Sequence, residues 1–366
     1  MADTPTAWIE SLSPWPTEGF GLERMRALLA ALDDPQLEYA SVHVVGTNGK
    51  TSTTLMTAAL LHAEGLKVGA YISPHVTGWS ERIQVDGTPA DFEATVGRIR
   101  PDAEQLNATQ FEALTAAALA EFARQGVDAA VVEAGLGGRL DATNVLRSPV
   151  QVLTNVARDH TEVLGETREE IAREKLAVVQ SGSSVVLGEP EWQELARELG
   201  AGKVILASQS NLGLAVHAAA ELLGRPVDPY AAQDLQVPGR LERRGEHPLE
   251  LWDGAHNIAG VGYLLARLPS RTDYVIVASV LGDKNVEAML RALTAVGGTL
   301  VATTSTNSRA LSEMELAARA EPYFHNVERE SDPRLALVRA RELAGPDGAV
   351  LVTGSLYLLA DLAREQ

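Results

Sequence analysis

The feature that most constrains the fold lies between Ser41 and Gly65, where an apolar run meets a glycine-bearing loop and then a helical pattern. The loop residues are Gly46, Thr47, Asn48, Gly49, Lys50, Thr51 and Ser52. A strand, such a loop and a helix N-terminus together surround a phosphate with backbone N–H groups, and the lysine adds a positive charge. Gly49, Lys50 and Thr51 fit the G-x-x-x-x-G-K-[ST] pattern, but Val44 occupies its first glycine position. A phosphate site is predicted, and a turn that only caps a helix is the alternative.

The rest of the chain alternates short β-branched runs with segments of helical period. Strands are predicted for "SVHVVG", "KVGAYIS", "DAAVVEAG", "VQVLTNV" and "SVVLGEP", and helices for "KTSTTLMTAALLHAEG", "TQFEALTAAALAEFARQG" and "TREEIAREKLAVVQSG". This alternation predicts an α/β fold with a P-loop-containing, doubly wound, mostly parallel sheet over residues 1–237. The pattern breaks at Pro238-Gly239 and restarts, so residues 238–366 are predicted to form a second, smaller α/β domain.

Composition narrows the classes of partner. The formal net charge of −18 argues against a broad nucleic-acid or membrane-surface footprint, because both need clustered Lys and Arg. The absence of cysteine excludes disulfides, thiolate metal sites and a Cys nucleophile. The N-terminal stretch has no basic region followed by an apolar core, and no apolar run approaches the ~18 residues of a membrane span. We therefore expect a cytoplasmic monomer that acts on small molecules.

Polar residues at predicted strand ends form a second signal. Glu133 ends one strand, His160 follows the next, and Ser73 ends "KVGAYIS". Doubly wound sheets bind ligands at the carboxyl ends of their strands, so Glu133 and His160 are predicted to come from adjacent strand ends and to hold a metal beside the phosphate. The alternatives are a solvated or capping acid and a structural histidine. Lys175 lies one helical turn after apolar Ile171, and this spacing would direct its side chain inward. A surface lysine with a buried stem is the usual alternative.

At this point the sequence resembles the folylpolyglutamate synthase and dihydrofolate synthase family, relatives of the Mur peptide ligases. The resemblance covers nearly the whole chain and rests on segments in a fixed order. They are "GLERMRALLAALDDPQ", "HVVGTNGKTST", "ISPHVTGWSERI", "TQFEALT", "VVEAGLGGRLDATN", "DHTEVLGETREEIAREK", "PGRLE", "WDGAHN", "LGDKNVEAML" and "TGSLYL". Such an ordered set is far more specific than a P-loop pattern alone.

The resemblance implies roles for individual residues. Gly46 to Ser52 match the ATP phosphate cradle, with Lys50 on the transferred phosphate. The segments matched to magnesium ligands contain Ser73, Glu133 and His160, and Lys175 matches a lysine that is carbamylated in the family. Further ATP contacts match Asn211, Arg240 and Asp253. The pterin-site segments contain Thr109, Leu140, Asp141 and Ala142, and the residues matched to the incoming glutamate are His256 and Ser355.

Two positions depart from the family pattern. Most members have Gly where Thr51 stands, so either Thr51 or Ser52 is expected to offer its hydroxyl to Mg²⁺. The usual Pro after "DGAHN" is Ile258. The chain is also short for the family, which suggests trimmed loops.

The function implied by the resemblance is ATP-dependent amide ligation. ATP and Mg²⁺ are the expected cofactors, and L-glutamate is added to dihydropteroate, to reduced folates or their polyglutamates, or to both, through an acyl phosphate. A Mur-like ligase with another carboxylate acceptor is the alternative among enzymes. A nucleotide-binding regulator without ligase chemistry is the alternative from another class, and it leaves "DGAHN", "DKN" and "TGSLY" unexplained.

Overall fold

The computed structural model describes residues 4–16, 19–269 and 273–364, which divide into two compact units. The first unit holds the described residues up to Pro74 together with Trp79–Leu235, and the second holds His75–Gly78 and the described residues from Gln236 onward. The grouping of His75–Gly78 with the second unit is not predicted by the sequence. The separate roles predicted for residues 1–237 and 238–366 stay predictions.

The first unit is built on a mostly parallel sheet. In the described part of the chain its strands are β1 (Ala40–Val45), β2 (Val68–Tyr71), β3 (Ile83–Val85), β4 (Thr88–Pro89), β5 (Ala129–Glu133), β6 (Val150–Leu153), β7 (Ser184–Leu187) and β8 (Lys203–Leu206). Their order across the sheet is β4-β3-β2-β5-β1-β6-β7-β8, with β3 and β4 antiparallel to their neighbours and the other pairs parallel. The predicted α/β class is confirmed.

This order corrects one prediction about the site. Glu133 ends β5 and His160 follows β6, but β5 and β6 are not adjacent, because β1 lies between them and pairs with both. The physical reason is the crossover of a doubly wound sheet, which brings strands distant in sequence onto both sides of the first one. The phosphate loop that leaves β1 is therefore flanked by the two strand ends.

Helices cover both faces of the first sheet. They are α1 (Pro5–Ser11), α2 (Glu23–Ala31), α3 (Lys50–Ala63), α4 (Phe92–Gln105), α5 (Gln110–Gln125), α6 (Thr161–Leu164), α7 (Arg168–Leu176), α8 (Gln193–Glu198), α9 (Asn211–Leu223) and α10 (Tyr230–Gln233), with short 3₁₀ turns at Pro35–Leu37, Trp79–Arg82 and Pro190–Trp192. Val42 and Val44 pack with residues of α3 and α9, whereas Ala130 and Val132 pack with residues of α5. Burial on both faces explains why the strands are continuously apolar.

Helix α7 is shorter than the sequence suggested. It begins after Thr167, whose hydroxyl accepts from the Glu170 backbone N–H in a capping box, and it ends at Leu176, before the predicted end at Gly182. Within it Ile171 and Lys175 both point into the unit and are buried. The inward direction expected from their spacing is confirmed.

The second unit repeats the layered plan on a smaller scale. Its strands in the described residues are β9 (Glu242–Glu246), β10 (Leu249–Trp252), β11 (Tyr274–Ala278), β12 (Thr299–Ala302), β13 (Asn326–Arg329) and β14 (Ala349–Thr353), in the order β13-β12-β11-β14-β10-β9. Only β9 among them pairs antiparallel. The helices are α11 (Ile258–Leu265), α12 (Val286–Leu293), α13 (Glu313–Ala320), α14 (Pro333–Ala344) and α15 (Leu356–Ala363). None of the helices in the described ranges of either unit is long and apolar enough to span a membrane.

Candidate active site

The loop after β1 is held in place by the residues that follow β6. Backbone N–H of Thr47 donates to the Asn155 carbonyl at 2.9 Å, and the Asn155 side chain both accepts from Asn48 N–H at 3.1 Å and donates to the Asn48 carbonyl at 2.9 Å. The Thr154 hydroxyl donates to the same carbonyl at 2.7 Å. A Cβ on Gly46, whose φ is 148°, would lie 1.9 Å from Thr154 Oγ1. The loop is therefore a fixed structure in which Gly46 cannot be replaced without displacement.

Thr154 and Asn155 were not singled out from the sequence. They stand in "VQVLTNV", directly after a predicted strand, and that position at the carboxyl end of a strand was the available signal.

Two lysines converge on one carbonyl of this loop. Lys50 Nζ donates to Gly46 O at 3.2 Å and to Thr47 O at 3.4 Å, and Lys175 Nζ donates to Gly46 O at 2.9 Å. Only 4% of Lys175 is exposed. Burial, and next the charge of Lys50, lower the pKa of Lys175 to about 7, although Asp159 and Asp141 act in the opposite direction. The arrangement concentrates positive charge where a phosphate would sit, and it places a readily deprotonated amine beside it.

Glu133 lies on the other side of the loop and is fully buried. One of its carboxylate oxygens accepts from the Thr51 hydroxyl at 3.0 Å, and the other accepts from the Ser73 backbone N–H at 3.0 Å. Ser73 reaches this position because β2 is the direct neighbour of β5. Of the two hydroxyls expected near Mg²⁺, that of Thr51 is thus bonded to Glu133 in this structure.

His160, which follows β6, has a strained backbone conformation. Its φ is 51°, a left-handed conformation that is uncommon outside glycine, and it caps α6. Its ring nitrogens lie 3.9 Å from Asp159 Oδ1 and 3.7 Å from Glu162 Oε1. Such strain is often found at functional sites.

The donors around the loop fit a magnesium ion. In the described ranges, no group of three or more His, Cys, Asp or Glu side chains is assembled closely enough to hold a metal. Mg²⁺ needs no such cluster, because it usually binds one or two carboxylates and completes its shell with water and phosphate oxygens. The Glu133 carboxylate and the Thr51 hydroxyl bonded to it are oxygen donors of this kind.

Asn211, one of the residues matched to ATP contacts, lies beside the loop. It is the first residue of α9, and a Cβ on Gly49 would lie 2.4 Å from its Oδ1. Gly49 has a φ of 83°, so a side chain there is disfavoured by the backbone as well as by Asn211.

The segments matched to the pterin site also lie together. The ring of Phe111, near the start of α5, packs directly on Gly135. A Cβ added to Gly135 would lie 2.6 Å from the ring atom Cζ. Thr109 caps α5, and its hydroxyl accepts from Glu112 N–H in a capping box. In the loop after Gly135, Leu140 is exposed and Ala142 is buried.

Asp141 is buried and bonded to its own loop. Its Oδ1 accepts from Thr143 N–H at 3.0 Å and from the Thr143 hydroxyl at 2.5 Å, and its Oδ2 accepts from Leu136 N–H at 2.8 Å. Burial raises the pKa of Asp141, while these hydrogen bonds oppose the rise. This arrangement favours a structural role for its carboxylate over direct bonding to a pterin.

In the second unit the predicted residues follow adjacent strands. Asp253, just past β10, accepts from Leu241 N–H at 2.8 Å and from Ala255 N–H at 2.9 Å. Burial raises the pKa of Asp253, and the charge of Arg240 opposes this. Ser355 caps α15 just past β14, the neighbour of β10, and Gly354 N–H donates to Ala255 O at 3.0 Å.

Close by, His256 Nδ1 lies 2.9 Å from Gly254 O. The unit therefore brings Arg240, Asp253, His256 and Ser355 to one edge of its sheet.

Comparison with known proteins agrees with this geometry. Family models for the Mur ligase middle domain and for the Mur ligase glutamate ligase domain match residues 44–218 and 239–356. A dihydrofolate synthase/folylpolyglutamate synthase of Mycobacterium tuberculosis is 34% identical over 83% of this chain and 78% of its own length.

Solved structures of similar proteins carry ligands. Escherichia coli FolC in complex with DHPP and ADP is similar with a TM-score of 0.89 and 28% identity, covering 99% of this chain and 97% of that one. The bifunctional folylpolyglutamate synthase/dihydrofolate synthase of Yersinia pestis with Mn, AMPPNP and L-glutamate bound has a TM-score of 0.87 and 30% identity, again covering 99% and 97%.

Proposed function

The chain belongs to the Mur ligase family, in its branch of folylpolyglutamate and dihydrofolate synthases, and on this premise we propose a role for each of its site residues. It is an ATP-dependent ligase of folate metabolism that attaches glutamate and uses a divalent metal. The observation that carries the assignment of roles is the convergence of Lys50 and Lys175 on the Gly46 carbonyl, opposite the clamped Glu133.

Lys50 is assigned to the phosphate that is transferred. The carboxylate of the acceptor attacks the γ-phosphorus of ATP, the bond to the β-phosphate oxygen breaks, and ADP leaves with that electron pair. The positive charge of Lys50 stabilises the negative charge that develops on the transferring group. Its ammonium is held at the loop by hydrogen bonds to the Gly46 and Thr47 carbonyls. The amine of glutamate then attacks the acyl phosphate, loses a proton and expels inorganic phosphate.

Ser73, Glu133 and His160 are proposed to hold Mg²⁺. When bound, the ion neutralises negative charge on the phosphates. Glu133 is restrained in advance by Thr51 and by Ser73 N–H, so little side-chain entropy is lost when it takes up a cation.

Lys175 is proposed to react with CO₂. Its neutral amine attacks the carbon and releases a proton to solvent, which leaves an anionic carbamate. An amine whose pKa lies near 7 supplies enough of the neutral form at physiological pH, and burial disfavours the unpaired ammonium. The resulting anion would face the same loop as Lys50.

The acceptor and the amino acid are assigned to separate segments. Dihydropteroate is proposed as the first acceptor, bound near Thr109 and the loop of Leu140, Asp141 and Ala142, and His256 and Ser355 are proposed to face glutamate. Support comes from the packing of Phe111 on Gly135, which joins the two acceptor segments. Asn211, Arg240 and Asp253 are assigned to ATP.

The test measures ADP release with dihydropteroate or tetrahydrofolate, each with and without glutamate. Release that needs both glutamate and dihydropteroate is the expected result, and release with tetrahydrofolate identifies the second activity. If neither acceptor supports glutamate-dependent release, the acceptor assignment is wrong and a Mur-like ligase with another carboxylate acceptor is favoured. Small-molecule substrates follow from the family, whereas the monomeric state, the cytoplasmic location and the absence of nucleic-acid or membrane partners stay predictions.

A further inference from the structure

A chain of buried hydrogen bonds runs from β1 to the loop of residues 135–144, which contains most of the proposed pterin-site residues and is called the acceptor loop. His43, in the middle of β1, has Nε2 2.7 Å from the hydroxyl of Thr143, and that hydroxyl lies 2.5 Å from Asp141 Oδ1. All three side chains are buried. Buried polar groups that bond to each other in series restrain the elements that carry them.

The number of protons on each group decides which of Asp141, Thr143 and His43 donates in each hydrogen bond. Asp141 accepts from the backbone N–H of Leu136 and Thr143, so its carboxylate acts as an acceptor on both oxygens. The Thr143 hydroxyl has one proton and donates it to Asp141, which leaves only an acceptor for His43. His43 must therefore carry its proton on Nε2.

His43 is unsuited to proton transfer. Burial lowers its pKa to about 4, so the ring stays neutral at the pH where the ligase works. It also lies within the sheet, paired with Val132 of β5 and Gln151 of β6, and not in the phosphate loop. We therefore infer that His43 fixes the orientation of the Thr143 hydroxyl to which it bonds.

The same loop is attached at a second point. Arg139 N–H donates to the Glu174 carbonyl at 3.1 Å, and a Cβ on Gly138 would lie 2.4 Å from the carbonyl of Lys175. One end of the loop thus rests on α7 at Lys175, and the other is tied through Asp141 and Thr143 to β1.

We propose that His43 and Thr143 are positioning residues that hold Asp141 and the loop of residues 135–144 in the conformation that receives the acceptor. This proposal rests on the proposed function and deepens it. It attributes the conformation of the acceptor site to the hydrogen bonds that link His43, Thr143 and Asp141. Asp141 then shapes the site through the backbone of its loop.

The test compares Thr143→Val, which keeps the shape and removes the hydroxyl, with Thr143→Ser, which retains it. Thr143→Val should raise KM for dihydropteroate about tenfold, as expected for losing one hydrogen bond to a charged group, with KM for ATP unchanged. Thr143→Ser should restore near-normal values. His43→Gln keeps a donor near the position of Nε2 and should resemble the wild type more closely than His43→Leu.

Ser41→Ala is the matched control. Ser41 lies on the same face of β1 and its buried hydroxyl lies 2.7 Å from that of Ser148, outside the connection. A second readout is independent of turnover: ¹⁵N spectra should show the Nε2–H form of His43, and hydrogen exchange at Leu136 N–H should accelerate in Thr143→Val and not in Ser41→Ala.

The outcomes separate the two proposals. A wild type that ligates neither acceptor overturns the proposed function and with it the acceptor role of this loop. A wild type that ligates dihydropteroate, with Thr143→Val indistinguishable from Ser41→Ala in KM, overturns only the positioning role. Equal increases in KM for ATP and dihydropteroate would likewise show that the connection supports the unit as a whole.

Discussion

At the scale of single residues, the Gly46 carbonyl organises the site. Both Lys50 and Lys175 donate to it, so two positive charges are held close together although the whole chain carries a formal charge of −18. A substrate phosphate, or the proposed carbamate on Lys175, would add negative charge beside these two amino groups.

Replacing Lys50 with Ala should reduce kcat for ligation by at least about 10²-fold, because a charge that stabilises the transferring phosphate is lost. The fold should persist, since among the residues that the structure describes the Lys50 ammonium bonds to carbonyls of its own loop. The measurement is steady-state ADP release together with the circular-dichroism spectrum. Lys203→Ala, which removes a surface lysine paired with Glu221, is the control and should keep normal turnover. Near-normal ligation by Lys50→Ala would remove the loop from the mechanism.

Lys175 makes a prediction about pH. Its pKa is lowered in the folded protein to about 7, from 10.5 in the unfolded chain, so between these values the unfolded state binds more protons. Stability therefore rises with pH across this window, by up to about 1.4 kcal/mol per unit. Lys175→Met should lack the rise. Guanidinium unfolding at pH 7, 8 and 9, without CO₂, ATP or Mg²⁺, measures it.

The same residue offers a chemical check. Carbamate formation predicts additional density on the Lys175 amine, and Lys175→Ala should lose activity that a short added carboxylate partly restores. A fully active, well-ordered enzyme with a bare ammonium at this position would contradict the carbamate.

At the scale of elements, the start of α5 combines a structural and a proposed binding role. Thr109→Ala removes the capping hydroxyl and should lower the free energy of unfolding by about 1 kcal/mol. Ser312→Ala removes the same kind of capping box from α13 and is the matched control. If Thr109 also contacts the acceptor, only Thr109→Ala should raise KM for dihydropteroate. Equal effects of both variants on KM would leave Thr109 as a cap alone.

The elements also show which parts of the fold are accessible from sequence. Strands β1, β5 and β6 were predictable because both faces are covered and their residues are continuously apolar. The edge strand β9, with the sequence "ERRGE", carries charges and exposed residues that hide its period. The order of β5, β1 and β6 was missed because strand pairing is set by distant contacts, which no local pattern records.

Some features of the site were likewise predictable from the sequence and others were not. The inward direction of Lys175 followed from its spacing to Ile171 and is confirmed by its burial. By contrast, the hydrogen bonds of Asp141 within its own loop, and the anchoring of Asn48 by Asn155, depend on turns whose geometry the residue types alone do not specify.

At the scale of the whole molecule, each unit has its own apolar core, so ligands that bind one unit should stabilise it measurably. A non-hydrolysable ATP analogue with Mg²⁺, at about 100 times its Kd, should add about 2.7 kcal/mol to the stability of the part that binds it. Differential scanning calorimetry measures the shift. Chelating the metal with EDTA should remove much of it, and Lys50→Ala should reduce it. An equal shift with and without metal would contradict the proposed magnesium site.

The position of β1 between β5 and β6 has an evolutionary consequence. The strands that follow β1 in the chain are divided between its two sides, with β2 and β5 on one side and β6 on the other, and such a switch point opens a crevice at the strand ends. The crevice in which the phosphates are proposed to bind thus follows from the strand order and not from particular side chains. If the loops after β2 and β5 bind the acceptor as proposed, their sequences could change to fit another carboxylate while the strand order that forms the crevice is kept.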